Sequence, residues 1–294
     1  MKTYIFTIFI SFVLAFLLIA CSPERKTEAV TGTGSAPTVS TESVAQNVLK
    51  KKDESRSLNG ATGKQNAKYQ IVSKTFIVYN DSMDLAIRYP QINNLGDDDR
   101  QNELNELIKK GAIPGQFVNY IGKSLFTLPI DYKITWQSDK LLSIQYSGVG
   151  YIKGEPHPNN FFYTTNIDIV QVKKVKLKDL VRIDENFAKI LRSENIKTVS
   201  PHPGALTGKQ IFIDYTSFNM VGDTINMFNG ADELDSKGRL PGYYCYFTQN
   251  SLGISAAASH AIGDHAEFEI KYEDIAESIK AKNEVWKDFF PKTE

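Results

Sequence analysis

The sequence predicts an α+β fold, with antiparallel sheets and segregated helices arranged as two packed subdomains, residues 69–172 and 173–294. Three observations carry this. All 28 aromatic residues beyond position 20 lie in residues 69–294, so only that part holds the material for a core. Within it, alternating β-rich runs come in groups and helical spacing comes in separate blocks, which is not the regular strand–helix alternation of a parallel sheet. Composition is globular, at 41% hydrophobic and 11% aromatic.

Taken in order, residues 1–20 read as a signal segment. Lys2 gives a positive start, and Tyr4 to Ala20 is uncharged and apolar. The run falls short of the roughly 20 apolar residues that span a bilayer comfortably, and it fits the core of a secretory signal. It ends in Leu18-Ile19-Ala20-Cys21-Ser22, which resembles the cleavage box of bacterial lipoproteins. The resemblance implies that the signal is cut before Cys21, that the Cys21 thiolate carries a diacylglyceryl group, and that the new amino group takes a further palmitate-type chain. Two or three such chains hold far more firmly than one, because each buried CH₂ adds about 0.8 kcal/mol. The expectation is a lipid-anchored protein of the bacterial cell envelope, on the cell membrane or the outer membrane, with its folded part extracytoplasmic. An uncleaved anchor and an ordinary signal are the alternatives.

Residues 21–68 read as a disordered tether. From Ser22 to Lys68 there is no aromatic residue, and the scattered valines bury too little to offset the ordering of the chain. This stretch holds eight basic and five acidic residues, whereas residues 69–294 hold 25 and 29, so the overall balance of 34 and 34 hides a weakly basic leash and a mildly acidic module. Neither part has the cationic surplus that nucleic-acid binding requires.

Tyr69–Val78 and Met83–Tyr89 alternate around the turn residues Asn80-Asp81-Ser82 and read as paired strands. Asp97-Asp98-Asp99 suits the positive start of a helix whose face carries Leu104, Leu107 and Ile108. After Gly111–Gly115, helical spacing resumes through Phe117, Val118, Ile121 and Leu125. Ile130–Trp136, Leu141–Tyr151 and Phe161–Val172 are strands. In the second of these, Ser143, Gln145 and Ser147 alternate with Ile144 and Tyr146, giving one polar face. A short helix follows at Asp184–Leu191. Residues 197–242 resist assignment. Tyr243–Gln249, Leu252–Ala258 and Ala266–Ile270 are strands, and Tyr272–Phe290 is mostly helical.

Tyr89-Pro90-Gln91-Ile92, Leu142-Ser143-Ile144 through Tyr151, His157-Pro158-Asn159-Asn160, Leu177-Lys178-Asp179-Leu180 and Glu267 through Ile275 occur in an order that resembles a family of extracytoplasmic modules of unknown function. The module is shared with the ectodomain of the anti-sigma-V factor and the N-terminal part of peptidoglycan deacetylase C. The resemblance spans most of residues 69–276 and implies recognition rather than catalysis. The cytoplasmic and spanning parts of the former and the metal-binding Asp-Asp motif of the latter have no counterpart in this sequence.

No nucleophile elbow, His-Glu-x-x-His pair or dinucleotide loop occurs, and no cofactor is expected. Asp232, Glu233 and Asp235 could face a hard cation, but they lack the ladder of a calcium loop and read as a solvated turn. His260 and His265 are five apart and would point to opposite faces of a strand, so no metal site is assigned. Cys245, between two tyrosines, reads as a buried, inert thiol, with an intermolecular disulfide as the alternative. His157, Asn159 and Asn160 are the candidate ligand-binding residues, weighed against a purely structural turn. The expected partners are the membrane, through Cys21, and a peptidoglycan-related glycan or a lysozyme-like (muramidase) protein. A non-enzymatic binding module is the first reading. An envelope hydrolase with an acid/base carboxylate pair distant in sequence is the second, and a structural envelope protein the third.

Overall fold

The computed structural model describes residues 63–64, 67–118, 126–199, 206–216, 220–235 and 239–290. The signal segment, Cys21, most of the tether, and Ile121 and Leu125 lie outside them. Among the described residues no helix is long and apolar enough to cross a membrane. The fold is α+β, with two sheets.

Among the described residues the first strand is β1 (Gly63–Lys64), within the stretch read as tether, and it pairs with the end of β4 at Trp136 and Gln137. The seven-stranded sheet runs β2 (Gln70–Asn80), β3 (Met83–Asn93), β4 (Phe126–Gln137), β5 (Leu141–Ile152), β6 (Asn159–Asp168) and β7 (Lys173–Val175), with β1 added beside β4. Pairing is antiparallel except β1–β4 and β3–β4. The β3–β4 pair is parallel because the helix α1 (Asp98–Ala112) lies between them in the chain, and a parallel neighbour needs such a crossover. Asp97 caps α1 by accepting from Arg100 N, as the acidic triplet predicts, and a short helix α2 (Gly115–Val118) follows. One sheet face is closed by α1. Leu104, Ile108 and Ala112 pack with Leu85, Ile87, Leu128 and Tyr146, and the Tyr163 hydroxyl donates to the Ala112 carbonyl at 2.6 Å.

The second sheet, in the order β8 (Lys197–Thr198), β11 (His265–Lys271), β10 (Ser251–Ala257) and β9 (Tyr243–Phe247), is fully antiparallel. Alternation sorts its residues. Cys245, Phe247, Leu252, Ile254, Phe268 and Ile270 face a second core built with α3 (Leu177–Leu180), α4 (Glu185–Leu191), α5 (Gly208–Tyr215) and α6 (Val221–Asn229). The last two helices occupy the region that the sequence leaves unassigned. Tyr244, Tyr246, Glu267 and His265 are the alternate set. There Gln145 donates to Glu267, and Phe162 stacks on His265.

Two expectations change. The polar face of β5 is only partly solvated. Ser143 and Gln145 are buried against the second sheet, where Phe247 N donates to Ser143 Oγ at 3.0 Å and Asn166 Nδ2 to Cys245 O at 2.8 Å. Polar side chains of the first sheet thus pair with main-chain groups of β9, beside the aromatic contacts of Phe162 with Tyr244 and Tyr246. Residues 272–290 are not an α-helix but turns with 3₁₀ segments at Ala276–Ser278 and Glu284–Asp288. Tertiary bonds outweigh helix formation here. Trp286 Nε1 and Lys280 N both donate to Leu180 O, and the buried Asp288 carboxylate accepts from Ser138 and Trp136 and pairs with Lys140 at 3.3 Å. The segment is a strap across the second core.

Gly253 lies directly beneath the Tyr246 ring, where an added Cβ would come within 2.1 Å, whereas Gly222 on α6 has open space around its Cβ position. Gly253→Ala should lower stability by about 1–3 kcal/mol through overpacking, and Gly222→Ala should raise it by about 0.4–1 kcal/mol. Denaturant midpoints of the two variants, moving in opposite directions, check the packing described here.

Candidate functional site

The loop after β5 carries His157, and β6 begins with Asn159 and Asn160, so both asparagines are strand residues paired with Gly150 and Val149 rather than turn residues. Asn159 Nδ2 donates to Glu155 at 3.0 Å. Asn160 bridges the sheets, since its N–H and Nδ2 donate to Asp264 Oδ2 at 2.7 and 3.3 Å. His260 Nδ1 sits 2.7 Å from Asp264 Oδ1, and the His157 ring lies 5.4 Å from the His260 ring. Asp264 takes a left-handed conformation, φ 67°, after Gly263 at 105°, which turns its carboxylate toward both partners. His260 is in a 3₁₀ turn and only His265 is in a strand, so the opposite-face expectation for the pair fails. His202 lies outside the described residues. Among those described, no group of three His, Cys, Asp or Glu is placed to hold a metal. Burial works against ionised Asp264, but the bonds from Asn160 and His260 outweigh it and hold its pKa below the ordinary 3.8.

This cluster borders a wider surface. The second sheet covers the face of β4–β6 only around Ser143, Gln145, Thr164 and Asn166. Toward the other end the registers align three cross-strand rows on the same, uncovered face. The first is Tyr79, Asp84, Thr127 and Tyr151. The second runs from Ile77 through Ala86 and Pro129 to Val149 and Asn160. The third holds Thr75, Arg88, Asp131 and Ser147. Tyr79 and Tyr151 are 68 and 47% exposed, with Ile77 and Val149 close to half exposed. Tyr79 and Tyr151 stand three strand spacings apart, roughly 14 Å. Arg88 Nη1 holds Asp131 Oδ2 at 3.2 Å in the third row. Two aromatic rings set apart by Asp84 and Thr127, with an apolar row and then a fixed ion pair alongside, can stack on apolar faces and bond hydroxyl or amide groups. Sequence reading missed this surface. Its signal was faint, namely apolar residues at the outward positions of two strand ends.

The Asp232 turn is not solvated as predicted. Asp232 is 2% exposed, at φ 64°. Its carboxylate accepts from Leu177 N at 2.9 Å, Cys245 N at 3.0 Å and the Cys245 thiol at 3.2 Å, and lies 3.3 Å from the Thr164 hydroxyl that donates to Cys245 O. Lys174 Nζ donates to the Asp232 carbonyl at 3.1 Å. Burial raises the Asp232 pKa against the pull of Cys245 N, Lys174 and Leu177 N, and burial also lowers Lys174 and raises the Cys245 thiol. Glu233 is taken up by Lys176 and Lys178, and Asp235 by Arg239. The three acids do not converge on a cation. They form a structural joint. Cys245 is wholly buried and free, which fits the inert thiol and leaves no route to a disulfide between chains.

An open depression of about 420 Å³ lies between α1 and Val172. Its two carboxylates, Glu103 and Glu106, are on an exposed helix face beside Lys110.

No protein-family model matches the chain, and no curated protein matches it. Among solved structures it is similar to a member of the DUF3298 family from Bacteroides fragilis, with a TM-score of 0.46 at 14% identity. It is also similar to a DUF3298 family protein from Pseudomonas aeruginosa, with a TM-score of 0.42 at 14% identity. In each case 74% of this chain and 95% of the other are covered.

Asp232→Ala leaves buried donors without an acceptor and should lower stability by about 3–5 kcal/mol in denaturant titrations. For Asp264 the pKa is depressed in the folded state, so its stabilisation is present above pH 3.8 and lost as pH falls through the lower folded value. Asp264→Asn should therefore lower the midpoint at pH 6 and narrow the gap to the parent at pH 3.

Proposed function

We propose that the chain is a lipid-anchored binding module of the bacterial cell envelope, recognising a peptidoglycan-related glycan without catalysis. The observation that carries this is the uncovered sheet face holding Tyr79, Tyr151, Ile77 and Val149, beside the Arg88–Asp131 pair. Pyranose rings stack through their C–H faces on such tyrosines, and the polar groups between them, Asp84 and Thr127, with the Arg88–Asp131 pair further along, select hydroxyl and acetamido positions. The Asn160–Asp264–His260 cluster at the rim, with His157 over it, offers further polar contacts. The lipoprotein box at Cys21 and the module resemblance supply the location and the ligand class.

Binding is favoured over hydrolysis because, although Asp84 lies in the first row, the other carboxylates named on this face and its rim have other commitments. Asp131 holds Arg88, and Asp264 holds Asn160 and His260. A hydrolase of glycosidic bonds needs two carboxyl groups about 5–10 Å apart across the bond. A muramidase-like protein is the second ligand class, favoured by the acidic excess of residues 69–294.

Calorimetry of the detergent-solubilised chain with soluble muropeptides and with lysozyme separates the classes. Muropeptide binding should weaken by about fivefold to 150-fold in Tyr79→Ala and in Tyr151→Ala, since a buried aromatic contact is worth roughly 1–3 kcal/mol, with unfolding midpoints unchanged. Lysozyme binding alone moves the assignment to the protein ligand. Release of cleaved muropeptide favours the hydrolase, and binding to neither class removes the proposal.

A further inference from the structure

Strand β2 is the outer strand of the seven-stranded sheet. It pairs with β3 over all 11 of its residues, and among the described residues nothing pairs with its other edge. A free edge presents a row of main-chain donors and acceptors to any strand that can match it. Edges are ordinarily blunted by proline, bulges or several charges. This one has no proline, no register shift against β3 and a single charged residue, Lys74. It also leaves Val72, Ile77 and Tyr79 well exposed.

We propose that this edge pairs antiparallel with the same edge of a second copy of the chain, about a two-fold axis at Thr75. The outer three pairs of the strand are chemically matched about that residue. Gln70 falls opposite Asn80, Ile71 opposite Tyr79, Val72 opposite Val78, Ser73 opposite Ile77 and Lys74 opposite Phe76. Amide meets amide, valine meets valine and β-branched Ile71 meets aromatic Tyr79, while Ser73–Ile77 and Lys74–Phe76 near the axis join unlike side chains. Charge selects the register. An axis at Lys74 sets two ammonium groups directly opposite, whereas the axis at Thr75 leaves them diagonal, roughly 7–8 Å apart. An axis at Phe76 leaves Gln70 and Ile71 beyond the end of the partner strand.

The self-matching strand makes the contact isologous and closed, so it ends at two copies rather than growing into a fibre. The sheets then join edge to edge, and Thr75, Ile77 and Tyr79 of both copies lie on one continuous face. With 11 residues a side against the usual 20–30 or so, the dimer is reversible. This inference stands apart from the ligand proposed above.

The test uses the full chain in detergent, carrying Cys21→Ser so that buried Cys245 is its one native thiol. Under mild oxidation Thr75→Cys should give a covalent dimer of twice the chain mass. Ser73→Cys and Ile77→Cys should each stay single alone but cross-link when mixed, because only then do their Cα atoms come within the roughly 7 Å a disulfide allows. Sedimentation of the parent at micromolar concentration should show a monomer–dimer equilibrium, weakened about fivefold in Thr75→Glu by the like charges at the axis. A parent that stays monomeric, a Thr75→Cys chain that stays reduced, or equal self-cross-linking at positions 73, 75 and 77 overturns the proposal.

Discussion

The carboxylate of Asp232 is the constraint on which the arrangement of this protein depends. It reaches the start of α3 through Leu177, the middle of β9 through Cys245 and the edge of Thr164 on β6, while its own carbonyl holds Lys174. These partners are 55 to 68 residues away on one side and 13 on the other. Removed from water, such a group is stable only while every donor stays in place. It therefore specifies one docking of the second sheet on the first rather than simply adding stability.

That docking decides what is left open. Gln145, Thr164 and Asn166 are spent on the second sheet, and Phe162 on Tyr244 and His265. A few residues further along the same strands, Ser147, Val149 and Tyr151 face solvent. One sheet face thus has a structural half and a free half, and the Asn160–Asp264 bond marks the boundary. The proposed binding surface is the remainder of a face whose other part is used for assembly.

Much of the framework was legible because it is local. Alternation around Asn80-Asp81-Ser82 gives β2 and β3, and Asp97 with Leu104 and Ile108 gives α1. What was not legible depends on distant partners. Apolar spacing in 272–290 looks helical, but Leu180 and Asp288 bonds make it a strap. Asp232 sits in a stretch of turn residues, and nothing adjacent reveals that Leu177 and Cys245 will bury it. Of the candidate ligand residues, His157 and Asn160 meet the Asp264 cluster, while Asn159 turns to Glu155. The Tyr79–Tyr151 pairing is a product of register across four strands, which no local pattern encodes.

The central claim, that the free half of the first sheet face is the recognition surface, is tested most directly by amide hydrogen exchange of the chain with and without soluble muropeptide. The account predicts slowed exchange confined to the ends of β2 and β5 around Tyr79 and Tyr151, the loop carrying His157, and the turn at Asp264. Protection centred instead on α1 around Glu103 and Lys110, with no change on that face, would contradict it.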